Sequence, residues 1–155
     1  MNIKKKILGI TIAPVIILGL ISMFLTTTMV RSAMLEEIEE ALRGTAAATL
    51  AAYDQNTGDY LQTSNGDIWK GSYNISKSES LVDRIKGNTG MDVTFFYGDT
   101  RIMTSAVDAG GNRILNSKAG DRIVEKVLQG GESYFSHAVS IEGTLNYGYF
   151  IPVYQ

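Results

Sequence analysis

Arginine and tyrosine are the side chains of this sequence best suited to holding a small molecule. Arg101 and Arg113 each offer a planar fork of N–H donors that matches a carboxylate. Tyrosines such as Tyr97, Tyr134, Tyr147 and Tyr149 combine an apolar ring with a hydroxyl that can fix a ligand. Both arginines flank turns, where a solvated guanidinium is the plain alternative. Tyr147 and Tyr149 alternate with Leu145 and Ile151, a pattern that core packing also produces. Catalysis has little to work with. There is no cysteine, which removes a thiolate nucleophile, a disulfide framework and a thiolate metal site. The single histidine, His137, alternates with Phe135 and Val139 and is expected to be structural; a histidine-rich metal site is excluded. Gly-x-Ser-x-Gly elbows, HExxH and phosphate-cradling glycine loops are absent, and Gly110-Gly111 opens a strand connection rather than a helix. The aspartates fall at turns and caps, where they bond local backbone. The chain reads as non-enzymatic, with no cofactor.

These residues lie beyond a long apolar block. From Ile7 to Val30 the chain carries no charge, and Lys4, Lys5 and Lys6 stand directly before it. About 20 apolar residues of helix cross a bilayer, so 7–30 is expected to be a membrane span, with 1–6 cytoplasmic and 31–155 outside. A cleaved signal peptide is the rival, but its apolar region runs only about 7–15 residues. Pro14 is tolerable in a membrane helix. The part after Val30 holds 11 basic and 16 acidic side chains, a formal −5, which argues against nucleic acid as a partner. Its length suits one domain.

Arg31 to Tyr53 is predicted to continue the helix, with Leu35, Ile38 and Leu42 on one face and Glu36, Glu37, Glu39 and Glu40 on the other. Pairing of this helix with a second copy is expected to give a homodimer. Asp54 to Asp59 and Thr63 to Asp67 read as turns. A short helix is predicted over Ser76–Lys86, with Ile75 as a staple, Leu81, Val82 and Ile85 inward, and Gly87 as its cap. The period then changes to two: strands are predicted at Val93–Tyr97 and Ile102–Val107 around Gly98-Asp99. Asp121 reads as the N-cap of a helix that buries Ile123, Val124, Val127 and Leu128 and stops at Gly130-Gly131. Ser133–Ile141 and Thr144–Tyr154 form a hairpin about Glu142-Gly143, with Leu145, Tyr147, Tyr149, Ile151 and Val153 on one face. The fold class is α+β: a membrane helix continuing into a long helix, then a sheet backed by helices.

The order of elements and several strings resemble the single-Cache sensor domains (sCache) of bacterial methyl-accepting chemotaxis receptors. The likeness covers nearly the whole chain. It runs from Ala51-Ala52-Tyr53 through Gly66-Asp67-Ile68-Trp69-Lys70-Gly71 and Leu81-Val82-Asp83-Arg84-Ile85-Lys86. Its most specific part is MDVTFFYGDTRIMTS, from Met91 to Ser105, followed by Gly111-Asn112-Arg113; Tyr134, Tyr147-Gly148-Tyr149 and Ile151-Pro152 close it. Where the family pattern has a glycine then a threonine after Arg113, this chain has Asn116 and Ser117; asparagine suits a left-handed turn and serine keeps the hydroxyl. The resemblance implies a PAS-like domain whose central antiparallel sheet encloses a small ligand. It places Tyr97, Arg101, Thr104, Ser105, Arg113, Ser117, Tyr134, His137, Tyr147 and Tyr149 on the pocket strands. Of these, Tyr97, Arg101, Thr104, Arg113, Tyr134 and Tyr149 are the expected ligand-binding residues, with a carboxylate or amino acid as the ligand. Such receptors continue with a last strand, a second membrane helix, a HAMP linker and a cytoplasmic coiled coil. The sequence ends at Tyr154-Gln155 still strand-like, so a fragment lacking that last strand is expected.

The function these features imply is the extracytoplasmic sensing module of a transmembrane chemoreceptor. The same module feeding a histidine kinase or a cyclic-dinucleotide enzyme is the alternative. A pilin-like membrane-anchored structural protein is disfavoured, since the Gly-Phe-x-x-x-Glu processing signature is missing.

Overall fold

A computed structural model describes residues 3–154. The chain divides into two units, Met1–Ile38 and Glu39–Gln155, and one helix, α1 (Ile3–Asp54), contributes to both. In the first unit the large apolar side chains from Ile12 to Met34 are solvent-exposed among the described residues. Apolar surface on that scale requires a cover. Ile12–Asp54 contains the one helix among the described residues that is long and apolar enough to cross a membrane. Its few hydroxyls bond their own helix: Thr27 Oγ1 donates to Met23 O (2.8 Å), Thr28 to Leu25 O (2.9 Å) and Ser32 to Thr28 O (3.0 Å). Such back-bonding satisfies these three donors without water. The side chains of the lysine triplet lie outside the described residues.

The second unit begins with the last turns of α1, where the helix inserts Tyr53 into the core with none of its surface exposed. Three short strands follow, β1 (Tyr60–Gln62), β2 (Ile68–Lys70) and β3 (Tyr73–Asn74), paired antiparallel in that order. The sequence reading assigned no strand here. Strands of two or three residues are too short to display a period of two, and outward residues such as Leu61 blur it further. A 3-10 turn (Ile75–Lys77) leads into α2 (Glu79–Thr89). The predicted end of this helix at Gly87 is corrected: α2 runs through Gly87, and Gly90 closes it in the left-handed conformation (φ 72°), its N–H bonded to Lys86 O at 2.7 Å.

β4 (Thr94–Tyr97) and β5 (Thr100–Thr104) pair antiparallel, with a register shift between Phe95 and Phe96. The predicted continuation of β5 to Val107 does not form. Ser105 turns the chain away: its hydroxyl accepts the Val93 N–H and donates to Asp92 Oδ1, both at 2.9 Å. α3 (Asp121–Ile123) starts after Gly120, the N-cap in place of the expected Asp121, and widens into a π-helical turn (Val124–Gln129). The wider turn rotates the predicted apolar face, so Val127 is buried while Leu128 is 47% exposed. β6 (Tyr134–Ile141) and β7 (Thr144–Phe150) form the predicted hairpin, but its second arm stops at Phe150, two residues before Pro152, rather than at Tyr154. Glu142 (φ 50°) and Gly143 (φ 76°) both take positive φ, as a two-residue type I′ turn requires. Burial along the expected face of β7 is uneven: Leu145 is 70% exposed, whereas Tyr149 and Ile151 are half-buried, and a register shift between Ser136 and Val139 inserts an extra residue on β6.

The architecture is α+β, with the antiparallel pairing divided into three separately bonded sheets, β1-β2-β3, β4-β5 and β6-β7. Two core clusters join the first two sheets to the end of α1 and to α2. One joins Tyr53, Tyr60, Ile68 and Ile75 with Tyr73, Leu81, Phe95 and Ile102; the other joins Val82, Val93 and Met103 with Ile85 and Phe95. Phe95 belongs to both. Tyr53 is the pin at the helix end: its ring meets Phe95 edge-on (centroids 5.5 Å, 71°), and its hydroxyl is 2.7 Å from Ser78 Oγ, which in turn donates to Ile75 O. Below it, Lys70 lies over the Tyr60 ring and reaches Asp54 at 3.4 Å, and Tyr60 donates to the same carboxylate.

Candidate functional site

The β4–β5 pair and the segment after Arg113 build the site. β5 gains a second neighbour on its far edge: Thr100 bridges Lys118, Arg101 N–H donates to Ser117 O (2.9 Å), and Asn116 N–H donates to Arg101 O (2.9 Å). With Asn116 at φ 61°, this is a G1 bulge, in which one residue adopts the left-handed conformation and two residues oppose Arg101. Asparagine is among the few residues that tolerate that conformation.

Arg101 is the unusual group. It is 6% exposed, it forms no ion pair among the described residues, and its Nε finds no hydrogen-bond partner among them. The guanidinium stacks over the Phe96 ring at 5.4 Å. Burial pulls its pKa down, and the charge of Asp92 opposes that shift. A buried cation without a hydrogen-bonded counter-charge is costly, so such an arrangement points to an anion that completes it.

Arg113, the other predicted anion holder, is already engaged. It makes a bidentate pair with Asp83 of α2 (Nη1 2.9 Å, Nη2 2.6 Å) and donates from Nη1 to Thr104 O at 2.7 Å. Those bonds hold the Asp83 carboxyl below the usual carboxylate range and raise the Arg113 pKa. Thr104 is fully buried, with its hydroxyl 2.7 Å from that of Thr94 and accepting the Ala106 N–H. Thus Arg113 and Thr104 brace the strand pair against α2. Lys86 braces it a second time, through Asp92 (2.7 Å) and Ser105 O (3.2 Å).

The predicted tyrosines separate. Tyr97 ends β4, partly exposed, opposite Thr100. Tyr134 faces Phe150 across the β6–β7 hairpin, and Phe150 meets Phe96 at 6.4 Å. Directly opposed residues share a sheet face, so Tyr134 lies on the side of the hairpin that carries this contact. Tyr149 faces Phe135 and falls on the other side. There Phe135 stacks on Tyr147, while His137, which is exposed, meets both rings at an angle.

Phe96 and Ser117 are the participants that the chosen ligand residues omitted. Phe96 was hidden by the register shift, which places it opposite Arg101, where the unshifted register would have placed Tyr97. Ser117 stands in the wider set expected on the pocket strands but not among the expected ligand-binding residues. A family model described as single cache domain 3 matches residues 73–155, from β3 to the end of the chain. No curated protein and no solved structure matches. The match covers more than half of the sequence and includes every element that positions Arg101: the chain belongs to the single Cache domain 3 family, a family of sensor domains.

Proposed function

We propose that the chain is the extracytoplasmic small-molecule sensing module of a transmembrane chemoreceptor. Residues 7–30 cross the membrane, 1–6 stay in the cytoplasm, and 31–155 form the sensor, paired with a second copy through the first helix. Family membership supports the sensing role, and the exposed apolar face of α1 supports the anchor. The observation that carries the ligand reading is Arg101, buried and without an ion-pair partner among the described residues. It holds the carboxylate of a small organic acid or amino acid. Phe96 floors the site, Tyr134 contacts the ligand's other end and Tyr97 completes the wall, while Thr104 and Arg113 keep the strand pair in place; Tyr149, on the far side of the hairpin, is left out of the site.

A thermal-shift screen of organic acids and amino acids on the full chain in detergent tests this. A ligand that binds only the folded state stabilises it by about 2.7 kcal/mol at a hundredfold excess over its Kd. Hits that vanish in Arg101→Gln support the reading; hits that all persist in that variant refute the assigned anchor. Topology is checked by labelling single cysteines placed at Asn2 and Ser64 in intact cells. Only the latter should react with an impermeant reagent, and equal labelling refutes the orientation.

A further inference from the structure

We infer that Ser117 is a second ligand-contacting residue, whose hydroxyl donates to the same oxyanion as Arg101. This rests on the sensor reading above and adds the residue that sets its preference for an anionic oxygen. Thr100 and Lys118 are paired, and Lys118 Nζ bonds Thr100 Oγ1 at 2.8 Å, so these two side chains share one face. The next pair, Arg101 and Ser117, therefore projects together from the opposite face. Two backbone hydrogen bonds of 2.9 Å fix their mutual position.

On that face both residues bury a polar atom with no partner among the described residues: Arg101 Nε and Ser117 Oγ. Buried polar groups are satisfied almost without exception, so two vacancies on one cross-strand pair call for a common explanation. Both atoms can donate. A carboxylate is acceptor-only and offers about four lone-pair sites, enough for both donors at once. The geometry fits. Nε is the guanidinium nitrogen nearest the backbone, so its acceptor sits low over the strand pair, within reach of a side chain as short as serine. The bulge at Asn116 sets where Ser117 meets Arg101. An amide or alcohol oxygen can accept the same bonds but carries no charge, so it pairs with the guanidinium more weakly than a carboxylate does.

The test uses the full chain in detergent, with acetate as probe, acetamide as its neutral isostere, and ionic strength held constant with sodium chloride. Ser117→Ala removes an unsatisfied buried hydroxyl, so without acetate its melting temperature should equal or exceed that of the wild type. Acetate should stabilise the wild type more than acetamide does, and Ser117→Ala should weaken acetate binding about tenfold or more. Ser117→Thr, which keeps the hydroxyl, should restore it. A lower melting temperature for acetate-free Ser117→Ala, or unchanged acetate binding in that variant, overturns the inference. If Arg101→Gln then still abolishes the acetate response, the sensor reading stands without Ser117. If acetate fails to stabilise the wild type, the pair is no carboxylate receptor, and the broader ligand screen decides the sensor reading separately.

Discussion

Tyr53 is the side chain through which the end of α1 enters the core, and its loss can be worked out in two parts. Its ring is wholly buried against Phe95 and Tyr73, and its hydroxyl bonds Ser78. Tyr53→Phe keeps the ring and deletes one hydrogen bond. Ser78 Oγ still donates to Ile75 O at 2.7 Å, so it is not orphaned and the cost should stay near ~1 kcal/mol. Tyr53→Ala also removes the ring and leaves a cavity, which costs about 3–5 kcal/mol for a buried aromatic residue. Domains of this size unfold at about 5–15 kcal/mol, so the second variant spends a large share of the total. At roughly 4 °C per kcal/mol, the expected drops in Tm are about 4 °C and about 12–20 °C. Thermal unfolding of the full chain in detergent can be followed by the single tryptophan, Trp69, which sits in β2 opposite Leu61 and Asn74. Equal losses in the two variants would refute the reasoning, because the hydroxyl and not the ring would then hold the helix end. A loss below ~1 kcal/mol for Tyr53→Ala would show that α1 is not anchored through this residue.

Two further outcomes follow from local geometry. Gly71 (φ 55°) has no room for a side chain, since an added Cβ would meet Thr57 O at 1.9 Å, whereas Gly90 (φ 72°) opens to space. Gly90→Ala should therefore lose only about 1–2 kcal/mol of left-handed strain, and Gly71→Ala clearly more; equal denaturation midpoints would count against the close Thr57–Gly71 approach. The Asp83–Arg113 pair predicts a pH dependence, since Arg113 lowers the folded-state pKa of Asp83. The pair's contribution is present above the unfolded carboxylate pKa of about 4 and is lost as pH falls through the depressed folded value. Because the Asp83 side chain is 52% exposed, the gap between wild type and Asp83→Asn should be only about 0–1 kcal/mol at pH 7 and close in acid. A gap that widens in acid would have the wrong sign.

What the sequence displayed depended on the length of each pattern. The helix through Tyr53, the helix bearing Leu81, Val82 and Ile85, and the hairpin at Glu142-Gly143 were legible because each repeats its signal or carries a turn with one physical solution. β1 to β3 were not, because tertiary packing of Tyr60, Ile68 and Tyr73 selects strands too short to announce themselves. The π-helical turn was also hidden: Leu128 fits the helical stripe on paper, and the wider turn carries it outward. In the site, Arg101 and Arg113 look alike as letters. Only the position of Asp83 on α2 distinguishes a guanidinium already spent on an ion pair from one whose Nε is unclaimed among the described residues. An extra residue on β5, Ile102, set Phe96 beneath Arg101, and a shift of one residue leaves no mark in a sequence read by alternation.

That shift has a mechanical consequence. Phe96 carries the guanidinium of the candidate site, while Phe95, one peptide unit away, is wedged between the rings of Tyr53 and Tyr60. A peptide is a rigid plate whose two Cα atoms stand 3.8 Å apart, so neither ring can be displaced far without dragging the other. The floor of the site is thereby stiffened in advance, and an incoming molecule need not spend binding energy on ordering it. A load placed on Phe96 reaches the last buried ring of α1 through one peptide link and one aromatic contact.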